Sequence, residues 1–263
     1  MRYQVEVRKK RNIAMANLVP IKKEQHQNLK VAAKRDLSHI ADQHIVPITA
    51  IEYSKAAVSF PVVIVKDPDS GRFRSVAMLG LETGENLFLK DEAWTGIYAP
   101  QSTTMVPFAL GIDPDKEKTL TACIDLDSKY VGEDQELPLF DENGEDSELF
   151  KNVQNGLGRL YENELMTEKF IKEVQDAGLL EEVEVVMGFA DGDKKKLVGI
   201  YTIKEAKLGE LTDEQALDFH KRGLFIPIYA MLTSIGQLNR LAQLRNERSD
   251  KKVTGIQIVP VQK

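Results

Sequence analysis

Short apolar stretches separated by polar turn segments recur from Ile45 to about Asp127, and this pattern is typical of β-strands. Residues 61–66 (PVVIVK) are apolar and β-branched, and residues 72–79 resume the pattern after the polar segment 67–71 (DPDSG). Proline fixes one φ angle and glycine supplies a positive one, so that segment suits a turn. The pattern predicts a hairpin over 61–79, and 119–126 (TLTACIDL) predicts a further strand.

Beyond residue 148 the apolar positions recur at steps of three and four, which is the spacing of a helix with one buried face. The spacing predicts a helix that begins near Phe150 and ends before Gly178, the kind of residue that closes helices. Thr212 and Gln215 predict a capped helix start. A final helix is predicted from Pro227 to about residue 248, since proline is favoured in a first turn.

A second hairpin is predicted among these helices. Residues 182–190 and 195–203 are strand-like, and Asp191-Gly192-Asp193 between them suits a tight primed turn. No strand–helix–strand alternation is present. The predicted fold class is therefore α+β, with antiparallel strands and hairpins in the first half and helices concentrated in the second half.

The domain organisation follows from composition. No internal repeat and no linker rich in Pro, Gly or Ser divides the chain, so residues 15–250 are expected to form a single domain. Met15 opens a stretch that looks like a natural protein start, so residues 1–14 are expected to be an N-terminal extension. Residues 251–263 are expected to be a weakly attached tail, although their alternation also suits an edge strand.

Charge and hydropathy narrow the possible partners. The net charge of -6 disfavours nucleic acid and anionic membranes, which repel an acidic protein. The most apolar runs, 56–65 and 224–232, are far shorter than the roughly 20 residues of a spanning helix, so no membrane insertion is expected. With no apolar leader at the start, the expected location is cytoplasmic. The alternative is the cell surface, reached by an unrecognised export route.

Two residue sets are candidates for ligand or metal binding. His44 precedes a strand-like stretch and can meet Glu52, and the aromatic residues Trp94 and Tyr98 can line a ligand pocket. The alternatives are a histidine bonded to loop backbone and aromatic side chains that anchor their loop. Asp125 and Asp127 alternate at a strand end, so both point to one face and can hold a divalent cation. The alternative is a solvated acidic cluster.

The sequence gives less support for other kinds of catalytic or binding site. Cys123 lies in an apolar stretch and predicts a buried thiol, whereas His26 lies in a polar stretch and predicts a solvent-facing side chain. The motifs of a serine nucleophile, a phosphate-binding loop and a dinucleotide fold are absent. No catalytic residue and no cofactor is therefore assigned.

Several stretches, in order and with their spacing intact, resemble the SapC family of bacterial proteins over roughly residues 15–248. They are 44–47 (HIVP) with Glu52, 60–67 (FPVVIVKD), 71–73 (GRF), 78–82 (MLGLE), 85–88 (ENLF), 107–110 (PFAL), 123–125 (CID), 138–141 (PLFD), 178–180 (GLL), 199–201 (GIY) and 228–230 (IYA). The peptide-transporter permease of the same name is unrelated.

The resemblance implies an association with bacterial surface layers but no agreed activity or catalytic residues. The expected function is a non-enzymatic binding or accessory protein for surface-layer or cell-envelope processes, working with a protein partner. One alternative is a metal-dependent enzyme with a site assembled from His44, Glu52, Asp125 and Asp127. A further alternative is a structural subunit of the surface layer.

Overall fold

The computed structural model describes residues 2–4, 17–67, 70–112 and 119–261. Apart from Arg2–Gln4, the predicted N-terminal extension lies outside the described residues. The strands are β1 (Arg2–Gln4), β2 (Leu18–Pro20), β3 (Lys30–Val31), β4 (Ile45–Pro47), β5 (Val62–Lys66), β6 (Phe73–Met78), β7 (Leu89–Lys90), β8 (Ala93–Trp94), β9 (Phe108–Ile112), β10 (Leu120–Asp125), β11 (Val131–Gly132), β12 (Leu137–Pro138), β13 (Leu180–Phe189), β14 (Lys194–Ile203) and β15 (Val253–Pro260). The helices are α1 (Lys23–His26), α2 (Tyr53–Ala56), α3 (Gln101–Thr104), α4 (Glu148–Asp176), α5 (Glu205–Leu208), α6 (Asp213–Lys221), α7 (Phe225–Ser234) and α8 (Gln237–Arg248).

Internal contacts divide the chain into two compact units. The first takes in residues 38–100 and 163–261 together with 2–4. Its main sheet has the strand order β15-β13-β14-β5-β6-β4, and β1 lies parallel beside β14. Both predicted hairpins are present in this sheet, as β5–β6 and β13–β14. Gly71 and Gly192 lie in their turns with φ angles of 67° and 89°.

The last strand of the sheet comes from the segment beyond residue 250. β15 pairs antiparallel with β13, from Val253 opposite Phe189 to Pro260 opposite Val183. The edge-strand alternative is therefore the one that the structure shows, and the expectation of a weakly attached segment is wrong. Alternating apolar positions give this stretch a side-chain period that fits a pleated edge.

The two faces of the β5–β6 hairpin carry different residues because side chains alternate along a strand. Ile64 and Ser75 are register partners on one face. There the hydroxyl of Tyr53, on α2, donates a hydrogen bond to Ser75 Oγ at 2.5 Å. Val63 and Val65 point to the opposite face, where the candidate site is built.

The second unit takes in residues 17–37 and 101–162. It holds two small antiparallel sheets, with the orders β2-β10-β9 and β11-β3-β12. Its core includes Val31, Phe108, Ile124 and Phe150. The prediction of a strand over 119–126 is confirmed by β10, and Cys123 is a buried thiol, as predicted.

The helices agree with the sequence pattern in part. α4 ends two residues before Gly178, which has a φ angle of 68°, so the helix predicted to close at this glycine is confirmed. The single helix predicted from Pro227 onward is wrong, because α7 and α8 are separate. Ile235 and Gly236 donate to carbonyls three residues back, and Ser234 Oγ donates to Met231 O, which tightens the backbone between the helices.

The fold class predicted from the sequence is confirmed: antiparallel sheets dominate the first half, and α4, α7 and α8 lie in the second. Within the described ranges, no helix has the length and apolar character needed to cross a membrane. The prediction for His26 is wrong. Its side chain is buried, and its Nδ1 accepts a hydrogen bond from the Lys22 N–H at 2.9 Å.

Candidate functional site

A cavity of about 210 Å3 lies against the main sheet of the first unit. We call it the sheet cavity. Strands β4, β5, β6 and β14 supply most of its wall, and the segment after β6 supplies the rest. Its apolar lining consists of Ile45, Val63, Val65, Met78, Leu81, Leu197 and Ile200.

A β-bulge in β14 brings the apolar wall together. Leu197 and Ile200 are three residues apart, so strict alternation would place them on opposite faces. The pairing with β13 shifts by one residue between them, and Gly199 has a φ angle of 77°. A glycine with positive φ is characteristic of such a bulge. The extra residue returns Ile200 to the face that carries Lys195 and Leu197, and all three line the cavity.

The sheet edge fixes the position of His44. Its carbonyl accepts hydrogen bonds from the N–H groups of Leu79 and Gly80, at 2.7 and 3.1 Å, which extends the β4–β6 ladder by one step. The imidazole lines the cavity. Its Nε2 is buried and has no hydrogen-bond partner among the described residues. Burial lowers the pKa of this histidine below its ordinary value of 6.5, so the ring is neutral at pH 7.

Ion pairs occupy the polar side of the cavity. Glu82 Oε1 lies 2.7 Å from Lys195 Nζ and 2.7 Å from a guanidinium nitrogen of Arg245, on α8. Arg245 also contacts Glu85 Oε1 at 2.7 Å, and only 11% of its side chain is exposed. Two carboxylates and two cations therefore balance in this network, of which Glu82 and Lys195 line the cavity. The arrangement leaves the charge of the network near zero.

A close backbone approach and further hydrogen bonds from α8 also hold the segment after β6 in place. A Cβ on Gly80 would lie 2.2 Å from the Glu85 carbonyl oxygen, so only glycine permits this close approach. Arg248, one turn after Arg245, donates hydrogen bonds to three carbonyls of the segment, those of Asn86, Leu87 and Leu89. Two arginines of α8 therefore fix the backbone that closes the cavity.

Three of the predicted ligand-binding residues meet at a second place in the first unit. The Tyr98 hydroxyl donates a hydrogen bond to Glu52 Oε1 at 2.7 Å, and the Trp94 indole N–H donates to the Tyr98 carbonyl at 3.0 Å. Glu52 Oε2 accepts from the backbone N–H and the hydroxyl of Thr49, at 3.0 and 2.6 Å. Glu52 thus forms a capping box and ties Tyr98 to it. Burial and the Glu52 carboxylate both raise the pKa of Tyr98.

Aromatic packing completes this second cluster. The Trp94 ring lies 5.9 Å from Phe60 and 5.8 Å from Phe88, measured between centroids. These contacts match the alternative in which aromatic residues anchor their loop. A ligand-binding role for Glu52, Trp94 and Tyr98 stays a prediction.

The predicted metal pair lies in the second unit, at the end of β10. Asp125 Oδ1 accepts from the backbone N–H of Asn17 at 3.1 Å, and Asp127 Oδ1 accepts from the Asn17 side-chain amide at 3.2 Å. Both carboxylates thus hold Asn17. Among the described residues, no group of three or more His, Cys, Asp or Glu is placed to bind a metal ion. A metal-binding role for the pair stays a prediction.

Of the residues that line the cavity, only His44 was among the sequence-based candidates, and the polar pair Glu82 and Lys195 was missed. Lys195 belongs to a run of three lysines, which by itself indicates only a solvated strand end. The isolated Gly199 inside a strand pattern was the available signal, because such a glycine suggests a bulge.

One comparison with known proteins finds a match. The model of the family described as SapC matches residues 21–241. The chain belongs to the SapC family. No curated protein and no solved structure gives a significant match.

Four of the stretches that carry the SapC resemblance also contribute to the cavity wall. Apart from Thr83, Lys195 and Leu197, every lining residue belongs to one of them. They supply His44 and Ile45 from 44–47, Val63 and Val65 from 60–67, and the turn of the chain over 78–82. Most of the cavity lining therefore lies within stretches that carry the resemblance.

Proposed function

We propose that this SapC-family protein is a non-enzymatic binding protein and that the sheet cavity is its ligand site. The observation that supports this most directly is the composition of the wall: a buried apolar surface, a neutral histidine and a charge-balanced polar side. Such a wall suits the retention of a small molecule, since ligand sites combine a mostly apolar lining with a few polar groups.

The cellular role is a further part of the proposal. The family name supports a link to bacterial surface-layer or cell-envelope processes, in which the protein acts as an accessory factor with a protein partner. We place it in the cytoplasm. Fractionation of the host followed by immunodetection tests this location: recovery with the envelope or at the cell surface would instead favour the surface-layer subunit.

Thermal unfolding tests the binding role. A small-molecule extract of the host should raise the Tm of the wild-type chain, because a ligand that binds only the folded state stabilises it. Leu197→Trp, which fills the cavity, should lose this increase. Leu217→Trp is the matched control, since it makes the same change at a side chain that is 52% exposed. An equal increase in Leu197→Trp would exclude the cavity as the ligand site.

A further inference from the structure

The size of the sheet cavity limits what it can hold. Its volume is about 210 Å3. Drug-sized ligands occupy pockets of about 300 Å3 or more. The occupant is therefore a small molecule.

The wall also determines the polarity of most of that molecule. The apolar residues of β5, β6 and β14 that line the cavity are all buried: Val63, Val65, Met78, Leu197 and Ile200. They come from three adjacent strands, so they form one continuous apolar surface. Polar atoms laid against this surface would lose their hydrogen bonds to water without replacement, which is costly. The greater part of the occupant is apolar.

The polar side of the cavity argues against a charged occupant. Glu82 already contacts both Lys195 and Arg245, and Arg245 also contacts Glu85. The charges of these ion pairs balance, so the network has no net charge to attract an ion, although Arg245 Nε is buried and has no hydrogen-bond partner among the described residues. A charged ligand would lose its hydration without a counter-charge of its own.

His44 supplies a hydrogen-bonding group for one polar group on the occupant. Its ring lines the cavity, and its buried Nε2 has no partner among the described residues. A half-turn of the ring about χ2 exchanges its nitrogens and carbons, so a nitrogen can be presented on either side. A neutral imidazole has one donor and one acceptor nitrogen, so it pairs with a hydroxyl, a carbonyl or an amide.

Resting on the proposed function, we propose that the sheet cavity binds a small uncharged molecule with an apolar body and one hydrogen-bonding group. Short alcohols, ketones and amides belong to this class. The group pairs with His44, and the body lies against β5, β6 and β14.

Isothermal titration of the full chain at pH 7 tests the ligand class with three probes of equal chain length: 1-pentanol, pentanoate and pentylammonium. We expect 1-pentanol to bind at least about tenfold more tightly than either ion, because a buried charge without a partner is strongly disfavoured. His44→Phe should weaken 1-pentanol binding. His44→Gln keeps a donor and an acceptor and should retain most of the affinity.

The outcomes separate this inference from the proposed function. Tighter binding of pentanoate or pentylammonium would overturn the uncharged class and leave the binding role intact. Equal 1-pentanol affinity in wild type and His44→Phe would overturn the role of His44. If no probe binds while the host extract still raises the Tm of wild type but not of Leu197→Trp, the ligand class is wrong and the site is right. If no probe binds and the host extract does not raise the Tm of wild type, both proposals fail.

Discussion

His44 combines two properties that oppose each other in the folded protein. Its ring contributes to the cavity wall, and its Nε2 is withdrawn from water without a hydrogen bond. A buried polar atom without a partner lowers stability by about 1–3 kcal/mol. Residues kept at such a cost are found where function needs them, so the histidine is more easily explained by a ligand than by the stability of the fold.

Replacement of this histidine should show how much stability its unsatisfied nitrogen costs. His44→Phe should raise the free energy of unfolding at pH 7 by about 1 kcal/mol, because it removes the unsatisfied nitrogen and keeps a ring in place. Urea titration measures the change. A variant less stable than wild type would mean that the histidine makes a favourable contact in the folded state.

The same pair of proteins gives a pH-dependent prediction. Burial lowers the pKa of His44 in the folded state, so below pH 6.5 the unfolded state binds a proton that the folded state does not. Wild type should therefore lose stability relative to His44→Phe as the pH falls from 6.5, by at most about 1.4 kcal/mol per pH unit. The loss stops once the folded histidine is protonated.

Other titrating groups do not change the sign of this difference. Glu82 and Lys195 face the same cavity and are present in both proteins. His26, whose pKa is also lowered by burial, is likewise common to both and cancels. A stability difference that stayed constant from pH 7 to pH 5 would contradict the prediction.

Among the elements, β14 shows most clearly how one residue alters a site. Its bulge at Gly199 decides which side chains share a face with Lys195. Alanine at this position meets no atom within 4 Å but must adopt a positive φ angle. Gly199→Ala should therefore lower the free energy of unfolding by about 1 kcal/mol and weaken ligand binding.

Gly158 is the matched control for this substitution. It lies within α4, its φ angle is not positive, and a Cβ there also meets no atom within 4 Å. Gly158→Ala should stabilise the protein by up to about 1 kcal/mol, since glycine is a poor helix former. Equal effects of the two substitutions would show that the bulge conformation is not strained for alanine.

The ion-pair network between α8 and the segment after β6 should also be measurable. Arg245→Met leaves two partly buried carboxylates without their shared cation, and we expect a loss of about 2 kcal/mol in the free energy of unfolding. Arg222→Met, which removes a more exposed pair with Glu173, should lose far less. Urea titration of both variants compares them. Similar losses would indicate that burial does not increase the contribution of the Arg245 ion pairs to stability.

At the scale of the whole molecule, the sequence predicted elements better than it predicted sites. Both hairpins, the strand β10 and the end of α4 follow from local rules: turn chemistry, alternation and a glycine after a helix. The break between α7 and α8 was missed because an isolated glycine such as Gly236 does not by itself end a helix, and the backbone bonding around Ser234 that accompanies it cannot be read from the sequence. The edge strand β15 needed its partner β13 before alternation could be distinguished from a loose end.

The candidate sites depended on contacts between distant segments, which local rules do not contain. Glu52, Trp94 and Tyr98 were selected together and do lie together, but their hydrogen bonds join them to one another. His44 was selected, whereas Glu82 and Lys195 were not, because their pairing joins segments more than a hundred residues apart. Spacing within a segment cannot reveal such a pair.

Native mass spectrometry of the protein purified from its own host tests the central claim, that the sheet cavity holds a ligand, most directly. We expect the wild-type chain and Leu217→Trp to carry one small molecule, seen as extra mass over the denatured chain. Leu197→Trp and His44→Phe should carry less or none. A bare wild-type chain, or the same extra mass on Leu197→Trp, would contradict the account.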